Sequence, residues 1–230
     1  MAGKKILQKL NDHGDRRIEK DNLMIKIHGR NNSSNVQKVV WALNEMNLPY
    51  ARIDAGGQFG LVNEPHYLAM NPNARVPTME DNGFILWESN AIIRYIGSKY
   101  GNDDIIPSDI QTRASADRWM DWQQTTVAPI ITPIFWGLVR TPEEKRNLET
   151  IEENRIKMID VMRILDENLS DKPYVAGDRF TIGDIPLGIM VYRWFTLIQN
   201  RPQMGNLESW YNGLEQRPAF KTHVLDIPLT

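Results

Sequence analysis

Cysteine is absent from all 230 residues, which excludes disulfides, thiolate-held metals and any nucleophile made from the protein's own sulfur. A surplus of charge of one sign is absent too. The 27 basic and 29 acidic side chains leave a net charge of -2, so no overall field draws the chain toward nucleic acid or an acidic membrane. Long apolar runs are missing: stretches such as Val127 to Ile134 are short and broken by proline, well under the ~20 residues of a membrane-spanning helix. The opening MAGKKILQKLNDHGDRRIEKDN lacks the apolar core of a secretory leader, so a cytoplasmic protein is expected. The four histidines, His13, His28, His66 and His223, show no ligand spacing, and no metal is expected. What is present, 41% hydrophobic and 24% charged residues, suits one large or two small soluble globular domains.

Hydrophobic periodicity divides the chain. Residues 1–23 are polar and mixed in charge, and read as a tail outside the main fold. Over residues 24–101 the period keeps changing. Met24 to His28 reads as a short strand, and Val36, Val39, Val40, Leu43 and Met46 recur at helical spacing until Pro49. Tyr50 to Asp54 alternates as a second strand before Gly56-Gly57, and Pro65 to Met70 fits a short helix. Val76 to Glu80 and Phe84 to Trp87 form two strands joined by the turn Asp81-Asn82-Gly83, and Ala91, Ile92, Tyr95 and Ile96 give a closing helix its apolar stripe. The first strand pair, with its crossover helix, is expected to be parallel and the hairpin antiparallel.

After a linker around residues 102–108, residues 109–230 carry only helical patterns: Gln111 to Leu138, Pro142 to Leu169 and Ile182 to Gln199. The fold class expected is therefore α/β plus all-α. One capping signal is sharp. Thr181-Ile182-Gly183-Asp184 sets a threonine at the N-cap and a carboxylate three residues on, with Phe180 and Ile185 as a hydrophobic staple. Asp184 reads as a folding device and not as a catalytic acid.

Three junctions carry possible chemistry. Gly29 to Val36 lies between the first strand and first helix, where helix N–H groups and the positive dipole end favour an anion and Ser33, Ser34 and Asn35 offer polar contacts. The competing reading there is an ordinary serine N-cap. Asn71 to Pro77 offers Arg75 as a carboxylate partner and Val76 as a strand-edge backbone, against the reading of a plain trans proline at a strand start. Glu88-Ser89-Asn90-Ala91 opens the third helix, where Glu88 suits an ammonium and Ser89 a carboxylate, against simple capping by Ser89. All three junctions fall on one side of a small sheet, and together they suit a zwitterionic small peptide with more than one carboxylate.

The strings SSNVQKVVWALNEMNLPY, NPNARVPTMED, GFILWESNAIIRYI and the FTIGD capping box, with Arg217-Pro218-Ala219-Phe220 near the end, resemble a glutathione transferase of bacterial, serine type over about residues 24–223. The resemblance implies a thioredoxin-like N-terminal domain, a helical-bundle C-terminal domain, glutathione as cosubstrate and a homodimer. By position it makes Ser33 the hydroxyl that activates the thiol, with Ser34 as rival. Asn35 falls near the thiol, Gln58 at the glycyl end and Arg75 where a lysine is common. Val76 falls at the cysteinyl backbone beside a cis Pro77, and Glu88 and Ser89 at the γ-glutamyl end.

A free thiol titrates near 8.5, and lowering it by two to three units requires roughly 3–4 kcal/mol, within reach of one charge-assisted hydrogen bond plus a helix dipole. The ionised sulfur then attacks a small hydrophobic electrophile, a peroxide or a disulfide. Two other readings compete: a non-enzymatic interaction module of the same fold, and a glutathione-dependent disulfide reductase. The second substrate is expected against the helix holding Trp119, Met120, Trp122, Phe135 and Trp136.

Overall fold

Alternation along the first strand decides which way the α/β half faces. In the computed structural model, which describes residues 25–101, 103 and 105–230, strand β1 (Ile25–His28) buries Ile25 and Ile27 on one face and turns Lys26 and His28 to the other. The tail expected over residues 1–23 lies outside the described residues. Helix α1 (Ser34–Glu45) follows, buried continuously from Val36 to Leu43. It ends before Pro49, at Asn47 in the left-handed region (φ 52°), where the Leu48 N–H closes on the Leu43 carbonyl at 2.9 Å. Strand β2 (Tyr50–Ile53) runs parallel to β1 at the sheet edge, and its side chains are mostly exposed.

A short helix α2 (Pro65–Met70) leads to the antiparallel pair β3 (Thr78–Asp81) and β4 (Phe84–Trp87), joined through Asn82 (φ 49°) and Gly83 (φ 85°). Two central residues with positive φ are what a tight two-residue hairpin needs. The sheet order is β2-β1-β3-β4, with β1 parallel to β2 and antiparallel to β3. Helix α3 (Ser89–Tyr100) is locked to the sheet through Asp81. That buried carboxylate accepts from Tyr95 Oη and Lys99 Nζ, both at 2.7 Å, and from Tyr100 Oη at 2.8 Å. Burial alone would raise its pKa, but these three donors hold it below the usual carboxylate range.

The remainder is helical. Helix α4 (Ile110–Trp122), capped by Asp109 accepting from the Thr112 N–H at 2.8 Å, runs through a wide turn (Gln123–Val127) into α5 (Ala128–Phe135) and a second wide turn (Trp136–Arg140). Pro129 and Pro133 lack the N–H an α-helix requires, and widened turns accommodate such gaps. Helix α6 (Leu148–Asn168), α7 (Asp184–Leu197), α8 (Gly205–Glu215) and the single turn α9 (Pro218–Phe220) complete the bundle.

The structure corrects two sequence expectations here. The second helical pattern starts at Leu148 and not at Pro142, because Asn147 caps it by accepting from the Thr150 N–H, while Arg146 ties the preceding loop to the Leu138 and Thr141 carbonyls. Helix α8 was not anticipated, although Leu207, Trp210, Tyr211 and Leu214 form its buried stripe at helical spacing. Its glycines and asparagines weaken local propensity, and packing makes up the difference.

The two halves share one core. Trp41 of α1 packs at a tilt against Phe220, ring centroids 4.6 Å apart, and Arg217 pairs in two-pronged fashion with Glu45 at 2.8 and 2.6 Å while lying 3.8 Å over the Phe180 ring. Gly188 of α7 leaves the gap that Trp41 fills, since a Cβ there would stand 3.0 Å from the indole. Asp184 is the other organising residue. Its carboxylate accepts from the N–H groups of Thr181 (2.8 Å) and Val175 (3.0 Å) and from Trp210 Nε1 (2.9 Å). The Thr181 hydroxyl accepts from the Gly183 N–H and not from that of Asp184, so the expected capping box is one-sided and its carboxylate ties three segments together.

Candidate functional site

Three loop-to-element junctions meet where the C-terminal ends of β1 and β4 face the helical half. Each is built by local rules. At the first, Ser33 occupies the N-cap position of α1 with extended backbone, and its carbonyl accepts from the Gln37 N–H at 2.8 Å. Its hydroxyl makes no capping bond and has no hydrogen-bond partner among the described residues, although the residue is only 8% exposed. The ordinary-cap reading of Ser33 therefore does not hold. A hydroxyl with spare donor capacity, on a largely buried residue, stands beside the positive end of a twelve-residue helix.

The second junction is the loop before β3. Buried Asn71 donates to the Arg75 carbonyl (2.9 Å) and Thr78 Oγ1 (3.0 Å), and Tyr67 Oη donates to the same carbonyl at 2.7 Å. This fixes the loop backbone while leaving the Arg75 side chain exposed and free of hydrogen bonds among the described residues. The Val76–Pro77 peptide is cis, and Val76 precedes the paired part of β3, so its backbone lies outside the ladder.

The third junction opens α3. Glu88, with φ 70°, is the N-cap residue, and its carboxylate makes no capping bond. Ser89 does not cap the helix, as the alternative reading had it. Its hydroxyl reaches Asn35 Oδ1 at a long 3.4 Å, linking the first and third junctions.

Two adjoining cavities lie between these junctions and the helices. The first, about 290 Å³, is bordered by Ser34, Asn35, Arg75, Val76, Glu88 and Ser89. The second, about 540 Å³, is bordered by Ser33, Ser34, Asn35, Arg75 and Val76 on the sheet side and by Thr132, Phe135 and Trp136 on the helical side. Of the seven residues singled out from sequence, six line one or both cavities. Gln58 does not: it sits exposed in the turn Gly57–Phe59, while its neighbours Gly56 and Gly57 reach the second cavity. Trp119, Met120 and Trp122 border neither cavity. The first two are buried in the core, and all three belong to its packing.

Sequence reasoning passed over several residues of the cavity walls, among them two buried basic side chains. Lys38 is 3% exposed, lines the first cavity and donates to Gln123 Oε1 at 2.9 Å. Burial, and next the nearby Arg193, push its ammonium down to about 7, with Glu88 partly opposing. Arg193 of α7 lines both cavities, 8% exposed and 4.1 Å over the Phe135 ring. The signal for each was a charge inside an otherwise buried helix: Lys38 within Val36 to Leu43, Arg193 within Ile185 to Leu197.

Comparison with known proteins gives the family. The model of the glutathione S-transferase N-terminal domain matches residues 32–99 and that of the C-terminal domain matches residues 127–218. The chain is similar to Glutathione S-transferase GstB of Escherichia coli K12, 39% identical over 209 residues, covering 90% of this chain and all of that protein. It also resembles Glutathione S-transferase 3 of Zea mays, 27% identical over 89% of this chain and 95% of the relative. Among solved structures it superposes on the theta class glutathione S-transferase of Xanthomonas axonopodis pv. citri with glutathione bound. There the TM-score is 0.86 with 42% identity, over 90% of this chain and 99% of the other.

Proposed function

The chain belongs to the glutathione S-transferase family and is a glutathione transferase, and from that premise we propose that Ser33 is the hydroxyl that keeps the bound thiol ionised. The observation that carries this reading is the unused Ser33 hydroxyl, held at the N-terminus of α1 and facing the second cavity. A hydrogen bond donated to a charged sulfur is worth more than one to a neutral thiol, so the hydroxyl and the helix dipole both favour the thiolate. Ser34 borders both cavities and is the alternative donor.

In this reading the γ-glutamyl end of glutathione lies in the first cavity. Glu88 faces its ammonium there, and Ser89 with the α3 N-terminus faces its carboxylate. Val76 supplies backbone hydrogen bonds to the cysteinyl unit. Arg75 answers the glycyl carboxylate, Asn35 stands beside the thiol, and Gln58 lies at the glycyl end. The thiolate then forms a bond to an electrophilic carbon, and the leaving group departs with the electron pair. A chain without cysteine cannot form a mixed disulfide on itself, so its redox chemistry would run through glutathione alone.

A small hydrophobic electrophile against Phe135 and Trp136, a homodimeric assembly and a cytosolic location complete the proposal, as does a division into units at residues 24–101 and 109–230. Among the described residues no helix is long and apolar enough to cross a membrane. The test is turnover of a chlorodinitrobenzene-type substrate by wild type and Ser33→Ala, with glutathione affinity measured by calorimetry. Loss of turnover with affinity retained supports Ser33. Full activity in the variant moves the role to Ser34 or Asn35.

A further inference from the structure

The second cavity has a charge that its apolar wall does not explain. Arg30, Arg75, Arg140 and Arg193 all border it, and no aspartate or glutamate does. On a chain whose net charge is -2 this gathers four guanidinium groups around about 540 Å³. Arg193 is the decisive member. It is more than nine-tenths buried, and among the described residues it has neither a hydrogen bond nor an ion pair, only the face of the Phe135 ring at 4.1 Å. Arg140 is already engaged, donating to the backbone oxygen of Thr230, the last residue of the sequence. Arg30 and Arg75 have no side-chain partner among the described residues.

The Arg193 stem is buried while its guanidinium opens on the cavity with five donors and no protein acceptor among the described residues, so a bound group can supply the acceptor that is missing. Burial, then Arg140 and Arg30, push Arg193 down to about 10, so it remains a cation at neutral pH while feeling both neighbours. Glutathione brings two carboxylates, but the proposed function already assigns them to Ser89 and Arg75. Arg193 rises from α7, on the side of Phe135 and Trp136, where the second substrate is expected.

We propose that the second-substrate site is built for electrophiles that carry a carboxylate or comparable anionic group, and that Arg193, with Arg30 and Arg140 beside it, receives that group. This inference rests on the transferase reading and replaces its generic hydrophobic electrophile with an amphipathic anionic one. The aromatic pair Phe135 and Trp136 takes the apolar body, and the guanidinium orients it so that the reacting carbon faces the thiol. The anionic group itself is a spectator. Sulfur bonds to the carbon bearing the leaving group, that group departs with its electron pair, and the carboxylate is unchanged.

The test compares 4-chloro-3,5-dinitrobenzoate with its carboxamide, two near-isosteres from which the thiolate displaces chloride. Each kcat/KM is divided by the uncatalysed rate with glutathione, because the two rings differ in intrinsic reactivity. The expected ratio in wild type favours the carboxylate by about tenfold or more, the scale of one charge-assisted pair. Arg193→Met removes most of that preference, and Arg193→Lys, which keeps a charge but not the fork, gives an intermediate ratio.

A wild-type ratio near one overturns the proposal, and this comparison needs no variant to fold. An unchanged ratio in Arg193→Met, accompanied by a raised KM for glutathione, also overturns it and gives Arg193 to the tripeptide. Failure of the transferase reading looks different: neither chloroarene is turned over and calorimetry detects no glutathione binding.

Discussion

Lys38 Nζ donates a 2.9 Å hydrogen bond to Gln123 Oε1, fastening α1 of the sheet half to the wide turn that leads into α5 of the helical half. Both residues line the first cavity, so the same contact that joins the halves also sets a titratable amine in its wall. Burial lowers the Lys38 pKa from 10.5 to about 7. Between those values the unfolded chain binds a proton that the folded chain has released, so stability rises with pH across this window. The slope from this one group approaches about 1.4 kcal/mol per pH unit. In Lys38→Met that contribution vanishes. Urea unfolding at several pH values from 7 to 10 should show a flatter dependence in the variant, and parallel curves would contradict the assignment.

Ser33→Ala should separate catalysis from stability. Loss of one hydrogen bond to a charged sulfur lowers kcat/KM by about ten- to a hundredfold. The hydroxyl caps nothing, so the usual penalty of about 1 kcal/mol for removing a cap does not apply and Tm stays within about 2 °C of wild type. A large fall in Tm would return Ser33 to a structural role.

Asp184→Ala has the opposite profile. It leaves the Val175 and Thr181 N–H groups and the Trp210 indole without their acceptor inside the core, at a cost of about 3–5 kcal/mol. Burial raises the Asp184 pKa from 3.8 to about 6 against those donors. The folded state therefore holds the extra proton between the two values, and this group's contribution to stability falls as pH rises through that window. Specific activity per folded molecule should be unaffected, as denaturation curves and active-site titration on the same sample will show.

The Glu45–Arg217 pair is expected to be worth more than a surface ion pair, because the Glu45 side chain is only 12% exposed and both oxygens are engaged. Glu45→Gln should cost about 1–3 kcal/mol with little relief from added salt, since the partly buried guanidinium loses its counter-charge. The double variant with Arg217→Met should lose less than the sum of the two single variants. Additive losses in chemical denaturation would mean the two side chains do not interact.

Much of this arrangement was legible in the chain because it rests on short-range rules. Alternation at Ile25 and Ile27, the Asn82-Gly83 turn and the stripe at Ile92 and Ile96 each set an element, and six of the seven candidate residues, at element ends, border a cavity. Lys38, Gln123 and Arg193 were not legible as a site, because their meaning depends on burial by segments more than fifty residues away. Gln58, which the resemblance sets at the glycyl end, is exposed in its turn and borders neither cavity. The Pro142 to Asn147 loop was misread as helix because its charged composition suits both states, and only the Asn147 cap and the Arg146 carbonyl contacts decide between them.

The most direct measurement is the titration of the glutathione thiol in the binary complex, followed by the ultraviolet absorbance of the thiolate, in wild type and in Ser33→Ala. The account predicts a bound pKa about two units below the free thiol in wild type, returning most of the way in the variant while glutathione still binds. A bound thiol that titrates as it does free in solution, or an unchanged low value without the Ser33 hydroxyl, would contradict it.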